Sequence, residues 1–111
     1  MQFADMPDPP YYAVIFTNQA SNRTEGYGRM AELMVELAQV QPGFIGVEST
    51  RDASGFAITV SYWRDEAAVT GWRENVKHKA AQMKGMTQWY DRYQLRVAKI
   101  ERQYGGPEGR L

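Results

Sequence analysis

The spacing of apolar and polar residues changes period several times along this chain, and each change marks an element. Tyr11-Tyr12-Ala13-Val14-Ile15-Phe16-Thr17 is rich in aromatic and β-branched residues and stops at the polar stretch Asn18 to Thr24. Such a run reads as a strand buried on both faces, hence central in its sheet. From Glu25 to Val40 the apolar positions Tyr27, Met30, Leu33, Met34, Leu37 and Ala38 recur at steps of three and four, with Glu32, Glu36 and Gln39 between them. That is the period of an amphipathic helix. Thr24 can cap it, Glu25 suits the positive end of its dipole, and Gln41-Pro42-Gly43 ends it.

Phe44 to Thr50 and Phe56 to Trp63 predict two further strands, joined as an antiparallel hairpin by the turn-forming residues Arg51-Asp52-Ala53-Ser54-Gly55. In the second, Phe56, Ile58, Val60 and Tyr62 face one way while Ala57, Thr59, Ser61 and Trp63 face the other, so one face is strongly apolar and one is mixed. Asp65 is placed to cap a second helix with Glu66 in its first turn, and Val69, Trp72, Val76 and Ala80 form its apolar stripe. Lys77, Lys79 and Lys84 make its end basic, and Gly85 permits a left-handed stop. Met86 to Tyr90 suggests an extra helical turn, and Tyr93 to Ile100 a last strand with a bulge where its phase slips.

The order β-α-β-β-α-β predicts an α+β, ferredoxin-like fold: a four-stranded antiparallel sheet with both helices on one face. The strands carry apolar residues on both sides, and a chain of 111 residues supplies no third layer. A second copy facing the open side across a two-fold axis is the economical cover, so a homodimer is expected.

Composition narrows the chemistry. Thirteen Lys and Arg balance thirteen Asp and Glu, so no long-range field favours nucleic acid or an anionic membrane. No apolar run approaches the length of a membrane helix. Without cysteine there is neither a disulfide nor a thiolate nucleophile, and with one histidine a Cys/His metal site is not expected. No P-loop, dinucleotide fingerprint or nucleophile elbow appears; Gly26-Tyr27-Gly28 is only a Gly-x-Gly at a helix start. Residues 1–10 lack the basic start and apolar core of a signal peptide and are expected to be an extended arm; residues 11–104 form the domain, and 105–111 a Gly/Pro tail. A cytoplasmic location is expected.

His78 is the one side chain that titrates near neutrality, six residues after Trp72 on the second helix and off its apolar stripe. It is either a base aimed into a cavity or a solvated flank residue stabilised by the helix end. Trp63, Trp72 and Trp89, with Tyr62, Tyr90 and Tyr93, crowd the second half of the chain. Core packing accounts for most of that mass, and the same rings suit a pocket for a flat substrate. Arg92, Arg96 and Arg102 fall at even spacing, a polar stripe that is either solvated or paired with carboxylates such as Glu48.

Gln41-Pro42-Gly43-Phe44-Ile45-Gly46-Val47-Glu48 and Ile58 to Val69, followed by Trp72 and His78, resemble the antibiotic biosynthesis monooxygenase (ABM) domain family over about Tyr11 to Arg102. The resemblance implies a dimeric α+β barrel. It also implies a range of functions: oxygenation of phenolic or quinol rings with O₂ and no metal or flavin, haem degradation, or no activity. In the haem-degrading branch an Asn lies inside the first strand and the His follows the Trp at longer spacing; here the strand interior is Val14-Ile15-Phe16, with Asn18 at its end. The expectation is a cofactor-independent monooxygenase of a small aromatic substrate, with His78 as base and Trp63, Trp72, Tyr62, Phe16 and Trp89 lining the pocket. The alternative is a non-catalytic, small-molecule-binding or stress-related module of the same shape.

Overall fold

The computed structural model describes residues 3–22, 27–82 and 89–107, with the side chains of 27–31 and 78–82 outside that description. The chain runs β1 (Tyr11–Ala20), α1 (Tyr27–Gln39), β2 (Phe44–Arg51), β3 (Phe56–Trp63), α2 (Glu66–Gln82) and β4 (Tyr90–Ile100). The four strands form one antiparallel sheet in the order β2-β3-β1-β4, so β1 is central as its doubly apolar sequence requires. Ala38 of α1 and Val69 of α2 share one core cluster with Val14 and Trp63, so both helices lie on one face of the sheet.

Local chemistry sets the element ends. Asp65 caps α2, its Oδ1 accepting from Ala68 N at 2.8 Å. Gly43 ends the α1 turn at φ +82°, and its carbonyl accepts from Arg64 N at 2.8 Å. A Cβ at Gly43 would stand 2.5 Å from that of Ala68, so the Pro-Gly-Phe turn and the start of α2 touch only because this residue has no side chain. In the β2–β3 turn, Gly55 takes φ +90°, and Asp52 Oδ1 accepts from Ser54 N, Ser54 Oγ and Phe56 N at 2.6 to 3.0 Å. Those bonds hold the Asp52 carboxyl below the usual carboxylate range. The proposed caps Thr24 and Glu25, the stop at Lys84 and Gly85 and most of the extra turn from Met86 fall outside the described residues.

Three strands are longer than their sequence pattern, β2 only by Arg51. β1 runs on through Asn18, Gln19 and Ala20 because β3 and β4 pair with it on both sides, and β4 starts at Tyr90, with the irregularity opposite Gln19 and Ala20. Asn18 is therefore inside the first strand, not at its end, and one of the two differences from the haem-degrading pattern is removed; the short step from Trp72 to His78 remains.

The face away from the helices carries Ile15, Thr17, Phe56, Ile58, Val60 and Tyr62. Segments near both ends of the chain lie over part of it. Ala4 N donates to Glu48 Oε2 at 3.1 Å, Tyr11 Oη donates to Gln103 Oε1 at 2.5 Å, and Gln103 Nε2 donates to Pro7 O at 3.0 Å. Tyr11 and Ala13 are buried there, while Phe56 and Ile58 remain exposed. No described helix is long and apolar enough to cross a membrane.

Candidate functional site

The side of the sheet that faces the helices is built of cross-strand rows whose character changes along the strands. At one end Phe44, Trp63 and Tyr12 share a row. Trp63 is 0% exposed, stacks on Trp72 at 5.4 Å and 25°, meets Phe44 edge-on, and donates from Nε1 to Ser61 Oγ at 2.9 Å. Trp63 is buried with Val14, Val69 and Ala38, and partly buried Tyr12, Phe44 and Trp72 pack against that cluster.

Two rows further on, Ser49, Thr59, Phe16 and Leu95 align, with the Ser49 and Thr59 hydroxyls 2.6 Å apart. The next row is Arg51, Ala57, Asn18 and Tyr93. Asn18 is the one buried polar side chain among the described residues, and its Oδ1 accepts from Arg51 Nη2 at 2.9 Å. Phe16 lies edge-on to Tyr90 at 5.4 Å and tilted to Tyr93 at 5.8 Å. Trp89 is buried and its carbonyl accepts from Ser21 N, tying the entry of β4 to the exit of β1.

The β4 part of this side is half exposed. Tyr93, Leu95 and Val97, alternate residues on the helix-facing side of β4, are 54, 48 and 50% exposed. Rings at one end, an apolar stripe along the edge strand and a buried amide beside them make a surface to which a flat apolar molecule with a polar group can bind. One shallow concavity of about 380 Å³ lies at Lys99 to Tyr104 after β4, and another of about 200 Å³ is lined by Phe56, Arg92 and Arg96 together with Asn18 and Tyr93.

The predicted pocket residues do not converge. Trp63 and Trp72 sit together in the core, Phe16 is at the other end of the same face, and Trp89 is next to Tyr90 where β4 begins. Tyr62 is on the opposite face, its ring edge-on to Tyr11 at 5.9 Å and its hydroxyl donating to Glu48 Oε1 at 2.5 Å. Burial, and then the bond to Glu48, push the Tyr62 hydroxyl well above its ordinary pKa; burial, then the charge of Glu48, raise that of Tyr11. Arg92 and Arg96 share this open face, Arg102 lies past the end of β4, and the Glu48 carboxylate is taken up by Tyr62 and Ala4. His78 falls within α2, but its side chain is outside the described residues. The residues that sequence reasoning missed are Asn18 and Arg51; the phase of Tyr12, Val14 and Phe16, carried one step further, was the available signal for the first.

Residues 10–84 match the antibiotic biosynthesis monooxygenase family. The chain is 55% identical over 97 residues to an uncharacterised protein of Bacillus subtilis, YqjZ, an alignment covering 87% of this chain and 85% of that protein. It is 36% identical over 95 residues to the jasmonate monooxygenase ABM of Pyricularia oryzae, covering 80% of this chain and 43% of the fungal protein. Among solved structures, PA3566 from Pseudomonas aeruginosa superposes with a TM-score of 0.65 at 18% identity, over 88% of this chain and 99% of that one. A conserved protein from Methanosarcina mazei does so with 0.66 at 11%, over 85% and 94%. Sequence order, sheet topology and these likenesses agree, and the chain belongs to the antibiotic biosynthesis monooxygenase family.

Proposed function

We propose that this protein is a monooxygenase of small aromatic rings of the phenol or quinol type, using O₂ without a metal or flavin. The observation that carries the reading is the uncovered stripe Tyr93, Leu95 and Val97 beside Phe16 and Asn18. Half-exposed apolar side chains on three alternate positions form a contiguous patch of the kind that marks a binding surface. A relative named as a monooxygenase supports the reaction class; its substrate is not carried over, because less than half of that protein is aligned.

The chemistry asks little of the chain. A hydroquinone that loses its phenolic proton can reduce O₂ itself: one oxygen atom ends on the ring, the other leaves as water, and all four electrons come from the substrate as it becomes a hydroxyquinone. The protein supplies a base, a ring-shaped surface and exclusion of water. His78 on α2 is the proposed base. Phe16 and Tyr93 hold the ring in this reading, while Trp63 and Trp72 form the packed core at the other end of the face and Trp89 fixes the entry of β4. A second copy of the chain covers Phe56 and Ile58 on the open face in this reading, and Tyr62 serves that side.

Oxygen uptake with a panel of hydroquinones, with product analysed after turnover in ¹⁸O₂, tests the reaction. One labelled atom in the product is expected, with a large loss of rate in His78→Ala. No uptake with any ring overturns the proposal, and unchanged turnover in His78→Ala removes that residue from it. Light scattering at micromolar concentration tests the assembly: twice the 12.7 kDa of one chain is expected, and 12.7 kDa itself refutes the dimer.

A further inference from the structure

The open face of the sheet is apolar in the middle and cationic along one edge. Its cross-strand rows end on β4 at Arg92, Gln94 and Arg96, which follow Phe56 and Gln19, Ile58 and Thr17, and Val60 and Ile15. Both arginines line the concavity of about 200 Å³, together with Thr17, Gln19, Gln94 and Phe56 from this face. Four residues apart on a strand, they stand about 13 Å from one another at Cα, within the combined reach of two arginine side chains, with Gln94 between them. Among the described residues neither has a carboxylate partner, and no Asp or Glu lines the concavity. Glu48 ends the row of Arg96 at the opposite edge, beyond Val60 and Ile15, and its oxygens accept from Tyr62 and Ala4. Asp52, in the turn beside Phe56, accepts from Ser54 and the Phe56 amide. The acids near this face are thus engaged elsewhere, while Phe56 and Ile58, in the rows of Arg92 and Gln94, are 43 and 39% exposed.

We infer that this concavity is a binding site for an amphipathic organic anion, whose carboxylate or phosphate head meets Arg92, Gln94 and Arg96 and whose apolar body lies on Phe56 and Ile58. Guanidinium groups bind such oxyanions through paired, charge-assisted hydrogen bonds. The volume is too small for a whole drug-sized ligand, so the head enters and the body extends along the exposed apolar side chains. The inference goes beyond the proposed reaction and does not rest on it, because every residue it names belongs to the open face of one chain. A second copy closing over Phe56 and Ile58 would only sharpen the need for the anion, since unpaired guanidiniums are costly to shut away from water.

The test uses 2-naphthoate, 2-naphthyl phosphate and neutral 2-naphthamide, which share a body and differ in the head, with binding to the whole protein followed by NMR titration. The native protein is expected to bind one of the two anions about tenfold more tightly than the amide, and which anion that is identifies the head. Shifts are expected at Arg92, Gln94, Arg96 and Phe56. Arg92→Gln and Arg96→Gln should each lower the preference about threefold and together remove it, with melting unchanged because both side chains are exposed. Phe56→Ser should weaken all three compounds alike and leave inorganic phosphate, a head without a body, unaffected. Equal affinity of the native protein for the amide and both anions overturns the inference, as does a preference that survives the double variant. Shifts confined to Phe16 and Leu95 on the other side of the sheet also overturn it. Inorganic phosphate binding as tightly as the naphthyl anions would overturn the assigned ligand class.

Discussion

The helix-facing side of the sheet has two ends that share strands and differ in almost everything else. At the Trp63 end, Trp63 lies with no exposed area against partly buried Trp72 and Phe44, and the one polar atom of its indole is satisfied by Ser61. At the Asn18 end, rings stand edge-on and tilted around a buried amide, and the neighbouring stripe on β4 is half exposed. The difference begins with where α2 starts. Asp65 caps it next to Trp63, and Gly43 lets the preceding turn approach Ala68, so the helix is pinned over that end. β1 and β4 continue to Ala20 and back to Tyr90 at the other end. Burial is concentrated where the helix is pinned, and the half-exposed stripe lies at the other end.

Truncation at the two ends should separate these roles. Trp63→Ala removes the largest fully buried side chain and is expected to cost about 3–5 kcal/mol in denaturant unfolding, or to prevent folding. A loss under about 1 kcal/mol would mean that the ring stack does not hold the core together. Gly43→Ala strikes the pin itself, since the new methyl meets Ala68 and the backbone sits at φ +82°. About 1–3 kcal/mol is expected, with the double variant carrying Trp63→Ala less than additive because both act on the seat of α2. At the other end, Tyr93→Ser removes half-exposed surface, so stability should change by no more than about 0.5 kcal/mol while affinity for aromatic rings falls. Equal loss of stability from Tyr93→Ser and Trp63→Ala would erase the distinction between the ends.

The fold was largely legible in the sequence, because element type follows from period and from the stops at Pro42-Gly43 and Asp65. Strand ends were not. Asn18, Gln19 and Ala20 have no local preference for extended structure, and they are extended because β3 and β4 pair with them. The site was less legible for the same reason. The alternation in β3 already sends Tyr62 and Trp63 to opposite faces, but nothing local says which face the helices cover. Arg51 and Asn18 stand 33 positions apart, and only the register of β1, β3 and β2 brings them into one row. An aromatic-rich composition identifies rings; it does not sort packed rings from available ones.

The smallest expected effect is also the most local, and it sets the two ends apart by pH. Behind the Trp63 end, on the open face, the Tyr62 hydroxyl donates to Glu48, and its pKa is raised by burial and by that bond. A raised pKa contributes stability that is complete below the unfolded value, about 10, and is lost as pH rises above it, because ionised Tyr62 would face the Glu48 carboxylate. Beyond the Asn18 end, the β2–β3 turn depends on Asp52, whose pKa is lowered, so its contribution is present above about pH 4 and lost as the pH falls through the folded value. Because Arg51 donates to Gly55 in that turn, acid should loosen the support of Asn18 before it reaches the Trp63 core. Hydrogen exchange followed by NMR is the measurement. The Phe56 amide, which donates to Asp52, is expected to lose protection toward pH 3 while Tyr62 keeps its own, with the opposite order above pH 10. Tyr62→Phe should flatten the alkaline arm and Asp52→Asn the acid arm, each without touching the other. Loss of protection at both sites together would mean that the two ends unfold as one unit and that their difference is one of exposure alone.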